Sequence, residues 1–124
     1  MKTHNENKMQ FVAKAMRLPF SPFKLRPIVD VVRGKKVDFA LGWLASYQVK
    51  KAVPVLKLVQ SATANAAHLK GLVPSDLFIK EIKVDGGRIS RYYKPGSMGR
   101  ALPQRKRFCH ISLVLETLVA AKGV

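Results

Sequence analysis

A basic segment of twenty residues, numbered 88–107, constrains this chain more than any other feature of its sequence. It reads RISRYYKPGSMGRALPQRKR and contains seven cations and no carboxylate. The seven cations are Arg88, Arg91, Lys94, Arg100, Arg105, Lys106 and Arg107. They repel one another in water, and the few apolar groups between them cannot offset the entropy of ordering the segment. We therefore expect a polyanion to complete its folding.

The runs on either side of the basic segment have the pattern of β-strands. LFIKEIKVD at 77–85 precedes it, and FCHISLVLE at 108–116 follows it. In the second run, alternation places one set of side chains in the core and leaves Val114 as an exception. The core set is Cys109, Ile111, Leu113 and Leu115, and the opposite set is His110, Ser112 and Glu116. In the first run the apolar phase changes between Ile79 and Ile82, which indicates either a β-bulge or burial on both faces.

Antiparallel pairing of these two strands makes residues 86–107 a long hairpin, which we call the arm. Connections of this length are uncommon and are usually functional or disordered. With about ten residues on each side at about 3.3 Å apiece, the arm would extend on the order of 30 Å beyond the domain. Two glycines and a proline at its tip permit a tight reversal. The expected tip residues are Pro95, Gly96, Ser97, Met98 and Gly99.

Three helices are expected before the first of these strands. Ser21 and Pro22 open the first helix, which runs to Arg33 before Gly34 closes it. Pro27 conflicts with a regular helix, because it removes a hydrogen bond and clashes with the preceding turn at a cost of roughly 3 kcal/mol. The helix therefore either begins one turn later or is kinked.

The second helix is short and has Asp38 as its expected N-cap. The third is the most strongly patterned, with Pro54 in its first turn and Gly71 as its terminator. Its apolar stripe consists of Val55, Leu58, Val59, Ala62, Ala66 and Leu69. Residues 10–16 give a further strand signal. The fold class is therefore α+β, with a flexible N-terminus at 1–8 and a single domain at 9–124.

Composition agrees with a small domain that binds a polyanion. The chain has 124 residues and a formal net charge of +16, so nucleic acid or an anionic membrane surface is the expected class of partner. Hydrophobic residues make up 48%, enough for a packed core beneath the charge. We see no segment with the length and apolarity of a membrane span, and no secretory signal. We expect a soluble protein that is not exported.

A second basic group surrounds the first helix, and we call it the helical basic group. Its members are Arg17, Lys24, Arg26, Arg33, Lys35 and Lys36. A solvated face with an Arg26 to Asp30 ion pair, worth a few tenths of a kcal/mol, is the alternative to phosphate contact. The surplus of positive charge favours phosphate contact. In the arm, Tyr92 and Tyr93 either stack on unpaired RNA bases or pack across the hairpin, and the sequence leaves both alternatives open.

Candidate catalytic and metal-binding residues are too few and too dispersed for an enzyme. Cys109 and His110 are neighbours in a strand, so their side chains point to opposite faces and cannot form a thiolate–imidazole pair. We expect a buried thiol and an imidazole that faces the surface or RNA. One cysteine and three scattered histidines do not make a zinc site. Gly86 and Gly87 mark a bend, because no phosphate-loop or dinucleotide motif contains them. No cofactor, metal or catalytic activity is expected.

Three marks in the sequence resemble one family closely. They are VRGKKV at 32–37, SATANAAH at 61–68 and the KP and GRA that bracket the arm tip at 94–101, within a likeness that covers residues 10–116. The family is the bacterial-type large-subunit ribosomal protein twenty-two. The resemblance implies a structural protein of the large ribosomal subunit. It also implies three helices packed on a small three-stranded antiparallel sheet, with one long projecting β-hairpin.

The resemblance further implies partners and site residues. The partners are large-subunit rRNA, neighbouring large-subunit proteins and the nascent peptide, since the family's hairpin lines the exit tunnel. No homo-oligomer and no membrane partner are expected, and the location is a cytoplasmic ribosome or that of an organelle. The rRNA-binding candidates are the helical basic group, the seven arm cations and Tyr92. The tunnel candidates are Pro95, Gly96, Ser97, Met98, Gly99 and Arg100.

The chain departs from the family pattern at two places. Pro27 stands where the family has an aliphatic residue, which affects the geometry of the first helix. Gly96 and Ser97 stand where the family usually offers basic residues, so phosphates are expected to hold the tip less tightly. The competing class of function is a DNA-binding or regulatory module, which would occur in the soluble pool and not with large subunits at moderate salt.

Overall fold

The computed structural model describes residues 9–117 and contains the expected α+β fold of three helices and a three-stranded antiparallel sheet. The strands are β1 (Gln10–Leu18), β2 (Leu77–Pro95) and β3 (Ala101–Thr117). The helices are α1 (Pro22–Val32), α2 (Val37–Ser46) and α3 (Ala52–Lys70). A short 3-10 turn at Pro74–Asp76 precedes β2, and another at Ser97–Gly99 joins β2 to β3. The expected flexible segment 1–8 lies outside the described residues.

The sheet has the strand order β1-β3-β2, so β3 is central. The alternation expected for β3 is confirmed, because its core set is fully buried and packs with residues of all three helices. Glu116 lies on the opposite face but is buried as well, and its carboxylate contacts Lys80 and Gln10. Within residues 9–117, no helix is long and apolar enough to cross a membrane.

A bulge in β2 explains the phase change in its apolar pattern. Relative to β3, β2 has one extra residue between Ile79 and Glu81. The extra residue, Lys80, is exposed, and the offset turns both Ile79 and Ile82 into the core. Of the two alternatives drawn from the sequence, the bulge is the correct one.

Helix α1 begins at Pro22 and continues through Pro27, so the later start, one of the two alternatives drawn from the sequence, is wrong. Pro27 is exposed, and water can therefore solvate the Phe23 carbonyl that loses its amide partner. On the other side of the helix, Leu25 and Val29 are fully buried. Burial of this apolar side keeps α1 in place despite the missing hydrogen bond.

Two details of the later helices differ from expectation. The N-cap of α2 is Lys36, so Asp38 does not cap the helix and lies in its first turn, where a negative charge favours the helix dipole. Helix α3 ends as expected at Gly71, which has a φ of +65°. Leu69 is 64% exposed and does not belong to the buried stripe, because Ala66 is the last buried residue and the final turn extends past the core.

The free edge of β2 is covered by α1 and the loop that follows it. The Gly34 N–H donates to the Ile79 carbonyl at 3.1 Å, and the Ile79 N–H donates to the Lys35 carbonyl at 2.9 Å. These bonds satisfy edge groups that would otherwise be open to another strand. They also place Lys35 and Lys36 beside the start of β2, at the end of the strand away from the arm.

Candidate nucleic-acid interface

The arm is a paired hairpin at the end of the β2–β3 ladder. The two strands stay in register from Ile89 opposite Arg107 to Pro95 opposite Ala101, which confirms the expected hairpin. None of residues 86–108 is buried, so backbone pairing orders the arm without a hydrophobic core of its own. That a polyanion completes the folding of the arm stays a prediction.

Three arginines lie on the arm face that continues the helix-covered side of the sheet. Arg91 is directly opposite Arg105, and Arg107 follows two residues later on the same face of β3. Like charges at facing positions of an antiparallel pair destabilise the pair. A phosphate placed between two guanidinium groups would convert this repulsion into charge-assisted hydrogen bonds. We call this surface the arginine face.

The opposite face of the arm carries Arg88, Lys94 and Lys106. All seven arm cations are exposed, including Arg100 beside the tip. Among residues 9–117, none of the seven forms a salt bridge with a carboxylate. Positive charge is therefore present on both faces of the arm and has no counter-charge within that part of the chain.

The two tyrosines of the arm point to opposite faces, because they are neighbours in β2. Tyr92 is opposite Gln104 and is 44% exposed, and Tyr93 is opposite Pro103 and is 70% exposed. Their rings do not pack on each other. Each ring thus has an accessible face on which a base could stack.

Arg26 and Arg33 of the helical basic group bind the protein itself. One guanidinium nitrogen of Arg26 donates to the Val84 carbonyl at 3.2 Å, and one of Arg33 donates to the Ile82 carbonyl at 2.9 Å. The Arg26 to Asp30 ion pair of the alternative interpretation does not form, because Asp30 pairs with Arg33. These bonds hold α1 against β2. Since each guanidinium group has five N–H donors, others stay available for phosphate.

Of the helical basic group, Arg26 meets the arginine face at the base of the arm. A groove of about 170 Å³ has Arg26 and Arg107 in its lining. Lys24, Lys35 and Lys36 are exposed around α1 and the loop after it. Arg17 does not belong to this surface, since it lines a different cleft together with Arg88.

Candidate catalytic and metal-binding side chains do not come together in the described part of the chain. Cys109 is fully buried, as expected, and burial raises the pKa of its thiol. His110 is half-buried, and its Nδ1 accepts a hydrogen bond from the Arg17 N–H at 3.0 Å. No sequence pattern signals this contact, because it depends on an irregularity in β1. Among residues 9–117, no three His, Cys, Asp or Glu side chains are grouped to hold a metal ion.

The tip of the arm reverses through Ser97–Gly99, where the sequence places it. Met98 and Gly99 have φ of +57° and +72°, a left-handed conformation that favours glycine at the second position and strains the first. The Gly96 N–H donates to the Arg100 carbonyl and closes the turn. The Met98 side chain is 95% exposed, so the tip presents an apolar group to its surroundings.

Comparison with known proteins gives consistent matches. The family model described as ribosomal protein L22p/L17e matches residues 13–116. Large ribosomal subunit protein uL22c of Chlorokybus atmophyticus is 43% identical over 106 residues, which cover 86% of this chain and 89% of that protein. The uL22c protein of Marchantia polymorpha is 38% identical over 118 residues, which cover 95% and 98%. The uL22 protein of Synechococcus sp. (strain JA-2-3B'a(2-13)) is 38% identical over 112 residues, which cover 90% and 89%.

The matched region contains the whole arm and every member of the helical basic group. It also contains all three sequence marks on which the resemblance rests. The resemblance is therefore confirmed, and the chain belongs to the ribosomal protein L22p/L17e family.

Proposed function

We propose that this chain, as a structural constituent of the large ribosomal subunit, binds large-subunit rRNA, supports assembly and extends its arm to line the nascent-peptide exit tunnel. The named relatives are large ribosomal subunit proteins. The proposed partners are large-subunit rRNA, neighbouring proteins of the subunit and the nascent peptide. The rRNA contacts come from the helical basic group, the seven arm cations and Tyr92.

The distribution of charge on the arm carries this proposal. A protein that rests on an RNA surface needs cations on one face, whereas the arm has them on both faces and none is paired with a carboxylate among residues 9–117. None of residues 86–108 is buried in protein. Such a hairpin is suited to enclosure by RNA, where phosphates on both sides supply the stabilisation that a core supplies elsewhere.

The tip is proposed to form part of the tunnel wall. Its residues are Pro95, Gly96, Ser97, Met98, Gly99 and Arg100. Of these, only Arg100 is charged, so phosphates hold the tip less tightly than the rest of the arm. The exposed Met98 side chain offers an apolar contact to a passing peptide. A density map of the native particle with Gly96 and Ser97 packed directly on phosphates would contradict this view of the tip.

Replacement of residues 88–107 by a two-residue Asn-Gly turn tests the proposal. We expect the domain to stay folded, because none of the deleted residues is buried. We expect incorporation into large subunits to fall at least roughly tenfold in competition with the intact chain, because seven phosphate-seeking charges are lost together. Quantitative mass spectrometry of salt-washed subunits measures the ratio.

A matched control keeps the arm and removes exposed lysines elsewhere, through Lys50→Gln, Lys57→Gln and Lys70→Gln. Its incorporation is expected to stay close to that of the intact chain. Equal incorporation of the arm deletion and the intact chain, or recovery of the intact chain outside ribosomes in cells, would overturn the proposal.

A further inference from the structure

An open cleft of about 540 Å³ lies between the end of β1 and the base of the arm. It contains no residue of the arginine face, and it shares only Phe108 with the groove that contains Arg26. Its lining consists of Arg17, Arg88, Ser90, Phe108 and His110. The lining thus combines two guanidinium groups, a hydroxyl and two aromatic rings, and it includes no carboxylate.

A bulge in β1 delivers Arg17 to this cleft. Ala15 is opposite Ile111 and Leu18 is opposite Cys109, so β1 has one residue more than β3 over this interval. In an unbroken register Arg17 would stand opposite Cys109 and point into the core. The extra residue gives that core position to Leu18, while Arg17 adopts a φ of +58° and turns outward.

A second bulge, in β2, delivers Arg88 to the same place. Gly86 is opposite Cys109 and Ile89 is opposite Arg107, so Gly87 and Arg88 share the position across from Phe108. This extra residue turns Arg88 to the outer face of the sheet, which is the face that the helices do not cover. Irregularities in both flanking strands, on either side of the same short stretch of β3, therefore bring two arginines to one cleft.

Two contacts, one at each ring nitrogen, fix the His110 imidazole at one side of the cleft. Its Nδ1 accepts the Arg17 N–H at 3.0 Å, and its Nε2 lies so close to Gly87 that a Cβ there would be 3.0 Å away. Only glycine permits this approach without displacing the imidazole. The Lys106 Nζ lies over the Phe108 ring, 5.7 Å from its centre, and adds positive charge beside the cleft. Because Lys106 is exposed, a base that stacks on this ring can displace it.

The chemistry of the lining selects one class of ligand. Two guanidinium groups bind a phosphate through paired, charge-assisted hydrogen bonds. A phenylalanine ring beside them stacks on a planar base, and the Ser90 hydroxyl can donate to or accept from a base edge or a 2′-hydroxyl. Bases inside a duplex are not accessible to such a ring, whereas unpaired bases in loops and bulges are.

We propose that this cleft holds one unstacked nucleotide of RNA, with its phosphate on Arg17 and Arg88 and its base against Phe108. The inference rests on the proposed rRNA-binding function and assigns a particular ligand to a part of the protein outside the arginine face. Bound RNA is thereby clamped from the outer side of the sheet as well as along the arm.

Binding of the full-length chain to two RNA probes tests the proposal. One is a mixed-sequence single-stranded 12-mer, and the other is the same strand annealed to its complement. Phe108→Leu keeps apolar volume but removes the ring, so we expect it to weaken binding of the single strand roughly 5- to 100-fold and to leave duplex binding unchanged. Tyr47→Leu, at a ring just after α2 that is 41% exposed and stacks on Trp43, is the control and is expected to change neither.

A second variant keeps the test decisive if Phe108→Leu fails to fold. For Arg17→Gln with Arg88→Gln, we expect a less steep slope of log affinity for the single strand against log salt concentration, by roughly the contribution of one phosphate contact. We expect the thermal unfolding midpoint to stay unchanged. Equal loss for duplex and single strand, or no loss for either, would overturn the cleft assignment. Binding of free adenosine monophosphate as tight as that of the 12-mer would overturn it in favour of a soluble nucleotide.

The failures of the two proposals can be told apart. If the intact chain binds large-subunit rRNA no better than an unrelated RNA of equal length, the proposed function fails. If it prefers large-subunit rRNA and Phe108→Leu binds single strands as the intact chain does, only the cleft assignment fails.

Discussion

The two ends of the β2–β3 ladder differ in what stabilises them. At the end near the helices, which we call the root (residues 77–85 and 109–117, with β1), Ile111, Leu113 and Leu115 are fully buried. In the arm no residue is buried, although backbone pairing continues through it. Burial of each large side chain stabilises the root by roughly 1.5–3 kcal/mol. The arm has no comparable contribution, so the same secondary structure has different stability at its two ends.

The two ends also differ in how their charges are compensated. In the root, the Lys83 Nζ lies 2.7 Å from the Glu81 Oε1, and the Lys80 Nζ lies 3.3 Å from the Glu116 Oε2. The hydrogen bond and charge of Lys83 lower the pKa of Glu81. No arm cation has such a partner among residues 9–117. The root neutralises part of its own charge, whereas we propose that external anions neutralise the arm.

The largest effect on stability is expected from Leu113→Ala in the root. Leu113 is fully buried on the central strand, so its truncation should lower the free energy of unfolding by about 2–5 kcal/mol. The same truncation in the arm, Leu102→Ala, removes a side chain that is 49% exposed and should cost less than about 0.5 kcal/mol. Chemical denaturation measures both. Similar losses for the two variants would mean that the arm is packed like a core.

The next effect concerns affinity for RNA. Replacing the arginine face through Arg91→Gln, Arg105→Gln and Arg107→Gln should weaken binding to a large-subunit rRNA fragment by about 100-fold at 0.1 M salt. The slope of log affinity against log salt concentration should become less steep by roughly 2 to 3. Filter binding over a salt series measures both quantities. The triple Lys50, Lys57 and Lys70 variant removes equal charge from α3 and the loop before it, and should have a clearly smaller effect. Equal effects would show that net charge alone determines affinity.

A smaller effect is expected where the helical basic group holds α1 on the root. Arg33→Met keeps the apolar stem but removes the donor to the Ile82 carbonyl and the partner of Asp30. We expect a loss of about 1–2 kcal/mol in the free energy of unfolding. Lys24→Met removes an exposed cation from the same helix and should change stability by less than about 0.5 kcal/mol. If both variants unfold at the same midpoint, Arg33 has no anchoring role.

The smallest effect is expected at the exposed pair of Glu81 and Lys83. Because Lys83 lowers the pKa of Glu81, the contribution of the pair is present above the ordinary carboxyl pKa and is lost as the pH falls through the lowered value. Glu81→Gln should therefore shift the thermal midpoint only slightly at neutral pH and not at all in strongly acidic buffer. A difference between the two proteins that grows in acid would contradict this sign.

Local patterns in the sequence were sufficient to predict the elements and the hairpin. Alternation in the run that became β3, the turn residues of the tip and the apolar stripe of α3 are properties of neighbouring residues, and the structure contains each of them. Pro27 was harder to judge, because its cost depends on whether the Phe23 carbonyl can reach water. That depends on which side of α1 packs against the sheet.

Sequence patterns could not predict the contacts made by bulges and by long side chains. The outward turn of Arg17 and its meeting with Arg88 require one extra residue in each of two strands. No composition or period marks the insertion in β1, and the bend indicated by Gly86 and Gly87 does not reveal that Arg88 turns to the same cleft. Asp30 has two arginines within helical reach, and its partner is Arg33 because Arg26 donates to the Val84 carbonyl instead. Both outcomes follow from how α1 and the strands meet in three dimensions.

Amide hydrogen exchange of the full chain, free and within native large subunits, tests most directly the claim that RNA supplies the stability of the arm. In the free chain we expect the amides of residues 89–107 to exchange far faster than those of Ile111, Leu113 and Leu115, which should open only with global unfolding. Within the subunit the arm amides should become protected. Protection of the arm in the free chain to the level of Leu113 would contradict the account.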